Sequence, residues 1–304
     1  MKFFSYMRRK WWIPFKIAKE TFNGVVEDNV TRLSASLAFA TLFSIIPFFS
    51  LLITIGAWFD IDLTGQLYEQ LEPVVGREVI YAFQSVIENA RQTEGWSVAT
   101  VVSICVSVFG ATTVFAEIQG SLNTIWGIKA VPKKGWLKFL KNRLLSFSII
   151  LIFAFIMLVT FSVTNLITKL SYILTENNPL VEKWVVMVVG LVMNIVVTAS
   201  VFTLIFKVLP DAKIKVRDVC IGALVTTVLL IAGQWGISFY IGVADVGSVY
   251  GAAAFMAIFI TWIYYSAIII YTGAEFTKAW ANELGGKIVP DEYAVAVRAV
   301  EVRF

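Results

Sequence analysis

The chain has 304 residues, 58% of them hydrophobic and 15% charged, with a mean hydropathy of +0.78 and a formal net charge of +4. Such a balance excludes an ordinary soluble domain and a disordered chain, because too few charged groups exist to keep that much apolar side chain in water. The sequence contains no histidine, which removes the commonest general base and metal ligand at once.

At the N-terminus, Lys2, Arg8, Arg9 and Lys10 precede "WWIPFKIAKETF". An uninterrupted apolar core and a small-residue cleavage site are both missing there, so no removable signal peptide is expected and the first span serves as the insertion signal. Aromatics interleaved with Lys16 and Lys19 predict a helix lying in the interface plane. Asp28 and Arg32 follow.

A crossing needs about 20 mostly apolar residues for a hydrocarbon core of roughly 30 Å. Six stretches qualify: Ser34 to Phe59, Trp96 to Phe115, Leu144 to Ile167, Trp184 to Leu209, Val219 to Val243 and Val249 to Tyr271. The expected fold is therefore all-α, a polytopic membrane protein of six transmembrane helices with interfacial and outer amphipathic helices. Residues 1–280 form its single domain and 281–304 a cytoplasmic tail.

The first span holds "LFSIIPFFS". Pro47 has no N–H, so the carbonyl of Phe43 loses its helix partner and a bend is expected near the bilayer centre. Thr41 and Ser44 are close enough to satisfy the freed carbonyl. After this span, residues 60–95 carry seven acids and two apolar stripes, Leu67, Leu71, Val74 and Val75, then Val79, Phe83, Val86 and Ile87. Pro73 and Gly76 separate the stripes, predicting two short helices that cap the outer face, either as a packed lid with an acidic surface or as a gate.

The second span ends near Glu117, and "GWLKFLKNRLLSF" is expected to skim the cytoplasmic leaflet before the third. Asn194 in the fourth span and Gln234 in the fifth fall at similar depth, with Trp235 following Gln234 between Gly233 and Gly236. Unpaired amides are costly in lipid, so both are expected to face the bundle interior. Either they clamp the two spans by a hydrogen bond, or Ser44, Pro47, Asn194, Gln234, Trp235 and Trp262 line a midplane cavity. In the sixth span Tyr264, Ile268, Tyr271 and Glu275 share one helix face. Asp28, Arg32, Glu117, Tyr271 and Glu275 then gather at the cytoplasmic mouth, as an inner gate or as an interfacial ion pair made by Arg32. Cys105 and Cys220 differ too much in depth to form a disulfide.

Twenty of the 25 Lys and Arg residues lie in the N-terminal segment, the loops 116–143 and 210–218, and the C-terminal segment. By the positive-inside rule both termini are cytoplasmic. That asymmetry also accounts for the net charge without nucleic acid. The partners expected are membrane lipids and, under one reading below, envelope proteins; the oligomeric state stays open.

Phosphate loops, Cys-x-x-Cys pairs and G-x-S-x-G elbows are all missing from the sequence. No cofactor, metal or catalytic residue is expected. An embedded hydrolase would have to rest on Asp28, Glu117 and Glu275 alone, for example with Mg²⁺.

The stretches "SASLAFATLFSIIPFFSLL", "EIQGSLNTIWG", "LPDAKIKVRDVCIGALVTTVLLIAGQWG" and "VYGAAAFMAIFITWIYYSAIIIYTGAEF" resemble the YihY/virulence factor BrkB family, formerly labelled ribonuclease BN. The resemblance runs from about Asn23 to Trp280 and implies an inner-membrane protein of six helices. It implies export or envelope-lipid transport; the ribonuclease label finds no support in the residues. The leading expectation is a transporter or flippase-like protein for an amphipathic or lipidic envelope solute, without its own nucleotide site. Energy comes from an ion gradient, a partner or the solute's own gradient, with Glu117 and Glu275 available for proton coupling. The alternatives are a structural or envelope-assembly factor and, below it, the embedded hydrolase.

Overall fold

The computed structural model describes residues 2–58, 98–131, 144, 148, 152, 179–244 and 254–297. Its helices are α1 (Lys2–Glu27), α2 (Val30–Trp58), α3 (Val98–Ile125), α4 (Pro179–Val208), α5 (Val216–Ala244) and α6 (Ala254–Glu283). Five of the six expected spans coincide with α2 to α6. The third span and the outer cap 60–95 lie outside the described residues, apart from positions 144, 148 and 152.

By length and composition, Met187–Val208 on α4 (22 residues, mean hydropathy 2.3) and Val216–Gln234 on α5 (19 residues, 1.8) are long and apolar enough to cross a membrane. Among the described residues, Val30–Ser44 on α2 is apolar but shorter. α2 is helical through position 47. The side chains of 45–58, and with them the expected role of Pro47, lie outside the described residues.

Between α1 and α2 the chain turns within two residues. The Asp28 N–H donates to the Gly24 carbonyl at 2.9 Å, the Asn29 N–H to Val26 at 3.2 Å, and Asn29 has φ 51°. Asparagine tolerates this left-handed conformation better than most side chains, so it ends α1 where a glycine often would.

Two compact units are present, each assembled from separate stretches of chain. The first comprises 1–30, 119–232 and 269–304. Its core contains Ile17, Leu122, Ile125, Trp126, Phe202, Phe206, Leu209, Val219 and Tyr271, all buried, with Phe206 edge-on to Trp126 and stacked on Phe202. The second comprises 31–118 and 233–268, and buries Leu37, Ala38, Ile118, Ile263 and Ala267.

The all-α expectation misses four short strands in the first unit. β1 (Ile128–Ala130) pairs antiparallel with β4 (Ala294–Ala296), and β2 (Ala212–Lys213) with β3 (Val289–Pro290). Within the segment 281–304, expected as a cytoplasmic tail, β3 and β4 thus pair with the turns after α4 and α3. Side chains fix its path: Lys213 pairs with Asp291 at 3.1 Å, and Asn123 and Asp211 exchange two hydrogen bonds of 2.9 Å. Strands of two or three residues are too short to show the alternation that marks a strand in sequence. Lys207 donates to the Ile214 carbonyl at 2.5 Å.

Candidate functional site

The functional candidate is built on the last three turns of α6, where "GAEFTK" runs from Gly273 to Lys278. One side of this stretch packs on α5. Thr226 of α5 stands where a Cβ on Gly273 would be, and Thr277 of α6 stands where a Cβ on Gly222 would be. Each hydroxyl turns back to its own helix, Thr226 donating to the Gly222 carbonyl at 2.8 Å and Thr277 to Gly273 at 2.7 Å. Two Gly-Ala-x-x-Thr segments thus meet head to tail, and the missing side chains let the backbones approach closely, as in membrane helix pairs generally. At Ala274 the carbonyl accepts the indole N–H of Trp126 at 3.2 Å, tying the end of α3 to α6.

The 3.6-residue period turns Glu275 away from Gly273 and Thr277 and toward α1. There it meets Gly24, where any Cβ would fall on the carboxylate. Glu275 is 1% exposed, and its Oε1 is a buried atom without a hydrogen-bond partner. Its Oε2 lies 3.2 Å from Lys278 Nζ, which also donates to Asp28 Oδ2 at 2.8 Å. One ammonium is therefore shared by two carboxylates. Water reaches them unequally: the Asp28 side chain keeps 25% exposure and that of Glu275 only 2%.

Glu275 lies one turn beyond Tyr271, where the sixth expected span ends. Burial pushes its carboxyl up to about 8, the neighbouring Asp28 carboxyl adds to the rise, and Lys278 opposes it. Burial lowers Lys278, but the attraction of Glu275 and Asp28 outweighs this and leaves its pKa raised. Asp28 follows the C-terminal residue of α1, where the helix dipole is unfavourable to a negative charge. Lys278 supplies the compensation.

A second tie between the same helices lies farther along. Lys16 of α1 donates to Glu283 of α6 at 2.6 Å. From 16 to 24 along α1 and from 283 to 275 along α6 the chain advances equally, about 12 Å at 1.5 Å per residue. α1 therefore runs antiparallel to the end of α6, held by an exposed ion pair at one point and a buried acid at the other.

Of the expected gate, Asp28, Tyr271 and Glu275 fall in the first unit, with Tyr271 fully buried one turn before Glu275. Arg32 and Glu117 belong to the second, Arg32 exposed and Glu117 half-buried. The cation at Glu275 is Lys278. Lys278 is readable as the i+3 neighbour of Glu275, a spacing at which helix side chains meet. The Gly-Ala-x-x-Thr repeat was a second missed signal.

At the expected midplane, Ser44 is buried and Trp262 half-buried, while the side chains of Pro47 and Trp235 lie outside the described residues. Asn194 and Gln234 are both exposed, in place of the interior position expected. For Asn194 the reason is local: among the described residues of α4 the buried ones are Ala199, Phe202 and Phe206, and the turns around Asn194 expose Leu191, Val192 and Val196. Among the described residues no group of three or more metal-ligating side chains occurs.

The family described as Virulence factor BrkB matches residues 21–295. Similar proteins include the UPF0761 membrane protein of Chromobacterium violaceum, 28% identical over 258 residues, 83% of this chain and 58% of that protein. Those of Pseudomonas paraeruginosa (28% over 256 residues; 82% and 59%) and Teredinibacter turnerae (23% over 276 residues; 89% and 61%) are also similar. The chain spans less than two thirds of the length of these relatives. No solved structure matches it significantly. With apolar helices of crossing length and a match over nearly all of its residues, this chain is a membrane protein that belongs to the virulence factor BrkB family.

Proposed function

We propose that the chain is a multi-pass transport protein of the bacterial inner membrane, with both termini cytoplasmic, that moves an amphipathic or lipidic envelope solute without a nucleotide site of its own. The observation that carries this reading is Glu275, buried to 1% with one oxygen unpartnered, on a helix of a strongly apolar chain. Packing alone does not account for such a group, because apolar replacements of buried ion clusters are often neutral or stabilising. In membrane proteins buried ionisable groups mark proton and solute pathways. Asn194 and Gln234 add support, since exposed amides in hydrocarbon are costly and call for water or a polar partner.

The test is lipid movement in reconstituted vesicles. Purified protein is expected to speed the exchange of fluorescent anionic and zwitterionic phospholipids between leaflets several-fold over protein-free vesicles, and Glu275→Ala to lower that rate. Equal rates with and without protein for both lipid classes remove the reading. The alternative, an envelope-assembly factor, is favoured by the same exposed amides if a partner covers them. Cysteines substituted at Ser44, Asn194 and Gln234 separate the two: labelling by water-soluble maleimide supports a pathway, protection a covered surface.

A further inference from the structure

We infer that Glu275 is a proton-binding residue that controls the attachment of α1: neutral Glu275 fits against Gly24 while Asp28 keeps Lys278, and ionised Glu275 releases the contact. The inference concerns the α1 contact alone and stands whatever solute the protein moves.

Charge bookkeeping makes the first step. With both acids ionised, one ammonium faces two carboxylates, leaving a net negative charge in a place that water barely reaches. Asp28 is the more exposed, so solvent supports its charge. Glu275 Oε2 faces Lys278, its Oε1 meets no donor, and the Asp28 carboxyl beside it can hydrogen-bond to it only when one of the two acids carries a proton. A buried charge with an unpaired oxygen is the arrangement that protonation relieves.

The surroundings offer no substitute. α1 presents Gly24, which has no side chain to donate to the carboxylate. α5 presents Gly222 and Thr226 to this part of α6, and α3 presents the Trp126 indole, already committed to the Ala274 carbonyl. Asp218, at the start of α5, is turned to the loop after α6, where it accepts the Gly286 N–H at 2.9 Å. On α6 itself Tyr271 lies one turn away and is buried. The charged groups facing Glu275 are therefore Asp28 and Lys278.

α1 can leave this contact without leaving the protein. The Lys16–Glu283 pair holds the helix farther along and involves neither Glu275 nor Asp28. When α1 is docked, the raised pKa keeps Glu275 protonated up to about 8; when α1 is released, the carboxyl returns toward its ordinary value of 4.5. Linkage then requires the docking constant to fall by up to about tenfold per pH unit between those values, and to level off above them.

The experiment uses the full chain in lipid nanodiscs, with Cys105 and Cys220 replaced by serine and spin labels on Asn23→Cys and Asn282→Cys, both exposed positions. Pulsed electron–electron distances are measured at about pH 5 and about pH 9, either side of the two carboxyl values. The docked population is expected to dominate at the lower pH and to shrink at the higher. In Glu275→Gln, which keeps the shape and is permanently neutral, it is expected to stay docked at both. An unchanged distribution in the parent protein, or an equal shift in the Gln variant, overturns the inference. Should Glu275→Gln fail to fold, infrared titration of the unsubstituted protein decides. A carboxylic-acid carbonyl band persisting at about pH 7, where ordinary Asp and Glu are ionised, is expected, and its absence overturns the inference.

Discussion

Gly24 and Glu275 share a contact that only glycine permits: the carboxylate lies where a Cβ at position 24 would be. Both the α1 backbone and the Glu275 side chain are packed, so Gly24→Ala must push one of them aside. A loss of about 1–3 kcal/mol, typical of overpacking, is expected in thermal unfolding of the purified protein. The Gly24→Val variant should lose more. If Ala is as stable as Gly, the close approach is not a feature of the folded protein.

Stability should fall as pH rises across the Glu275 titration. The folded-state pKa is raised, so the native state holds a proton that the unfolded state has already released. The contribution is fully present below about 4.5, declines toward about 8 and is constant above. Melting temperatures measured across this window should decline in the parent protein and decline less in Glu275→Gln. Parallel curves for the two proteins would place the titrating group elsewhere.

Lys278→Met removes the shared cation and leaves Asp28 and Glu275 facing each other. Fully buried pairs lose about 3–5 kcal/mol when one partner is removed. With the Lys278 side chain 32% exposed, the loss expected here is smaller, about 1–3 kcal/mol after solvent screening. Adding Glu275→Gln should change the loss little near pH 7, because Glu275 is already neutral below about 8 and the charge left without its cation is that of Asp28. A double-mutant cycle on unfolding reads the coupling.

The paired Gly-Ala-x-x-Thr segments predict reciprocal sensitivity. Gly222→Leu should collide with Thr277 and Gly273→Leu with Thr226. Each is expected to reduce the yield of folded, monodisperse protein in size-exclusion chromatography. Thr226→Ala and Thr277→Ala should be mild, since both hydroxyls donate within their own helices. Equal damage from the alanine variants would show that the hydroxyls matter beyond their volume.

Asn123→Ala takes both hydrogen bonds from Asp211, one to its carboxylate and one from its amide. Leaving partly buried groups unsatisfied should cost about 1–3 kcal/mol. Faster hydrogen exchange at the Asp211 amide and along β2 is the expected readout.

The helices were legible because hydropathy over some 20 residues is a strong signal, Glu275 because helix periodicity sets it on one face with Tyr271, and Asp28 by its place just before the first span. Lys278 was missed for a physical reason: a lysine beyond an apolar span satisfies the positive-inside pattern, which hides its pairing with an acid one turn away. The rule that amides face inward failed at Asn194, because it presumes neighbours along the whole helix, whereas α4 is packed only near its end. The Gly–Thr contacts depend on which helices meet, and single-helix periodicity carries no information about that. β1 to β4 are below the length at which any pattern can show.

The strand pairings bear on the order in which the protein can be completed. β1 and β2 leave the ribosome early, after α3 and α4, while their partners β3 and β4 follow α6. Until every helix has been synthesised, the two earlier strands wait with open edges. Closure of this face is thus a late event in biogenesis, and a chain stalled within α6 would display unpaired backbone to the quality-control machinery.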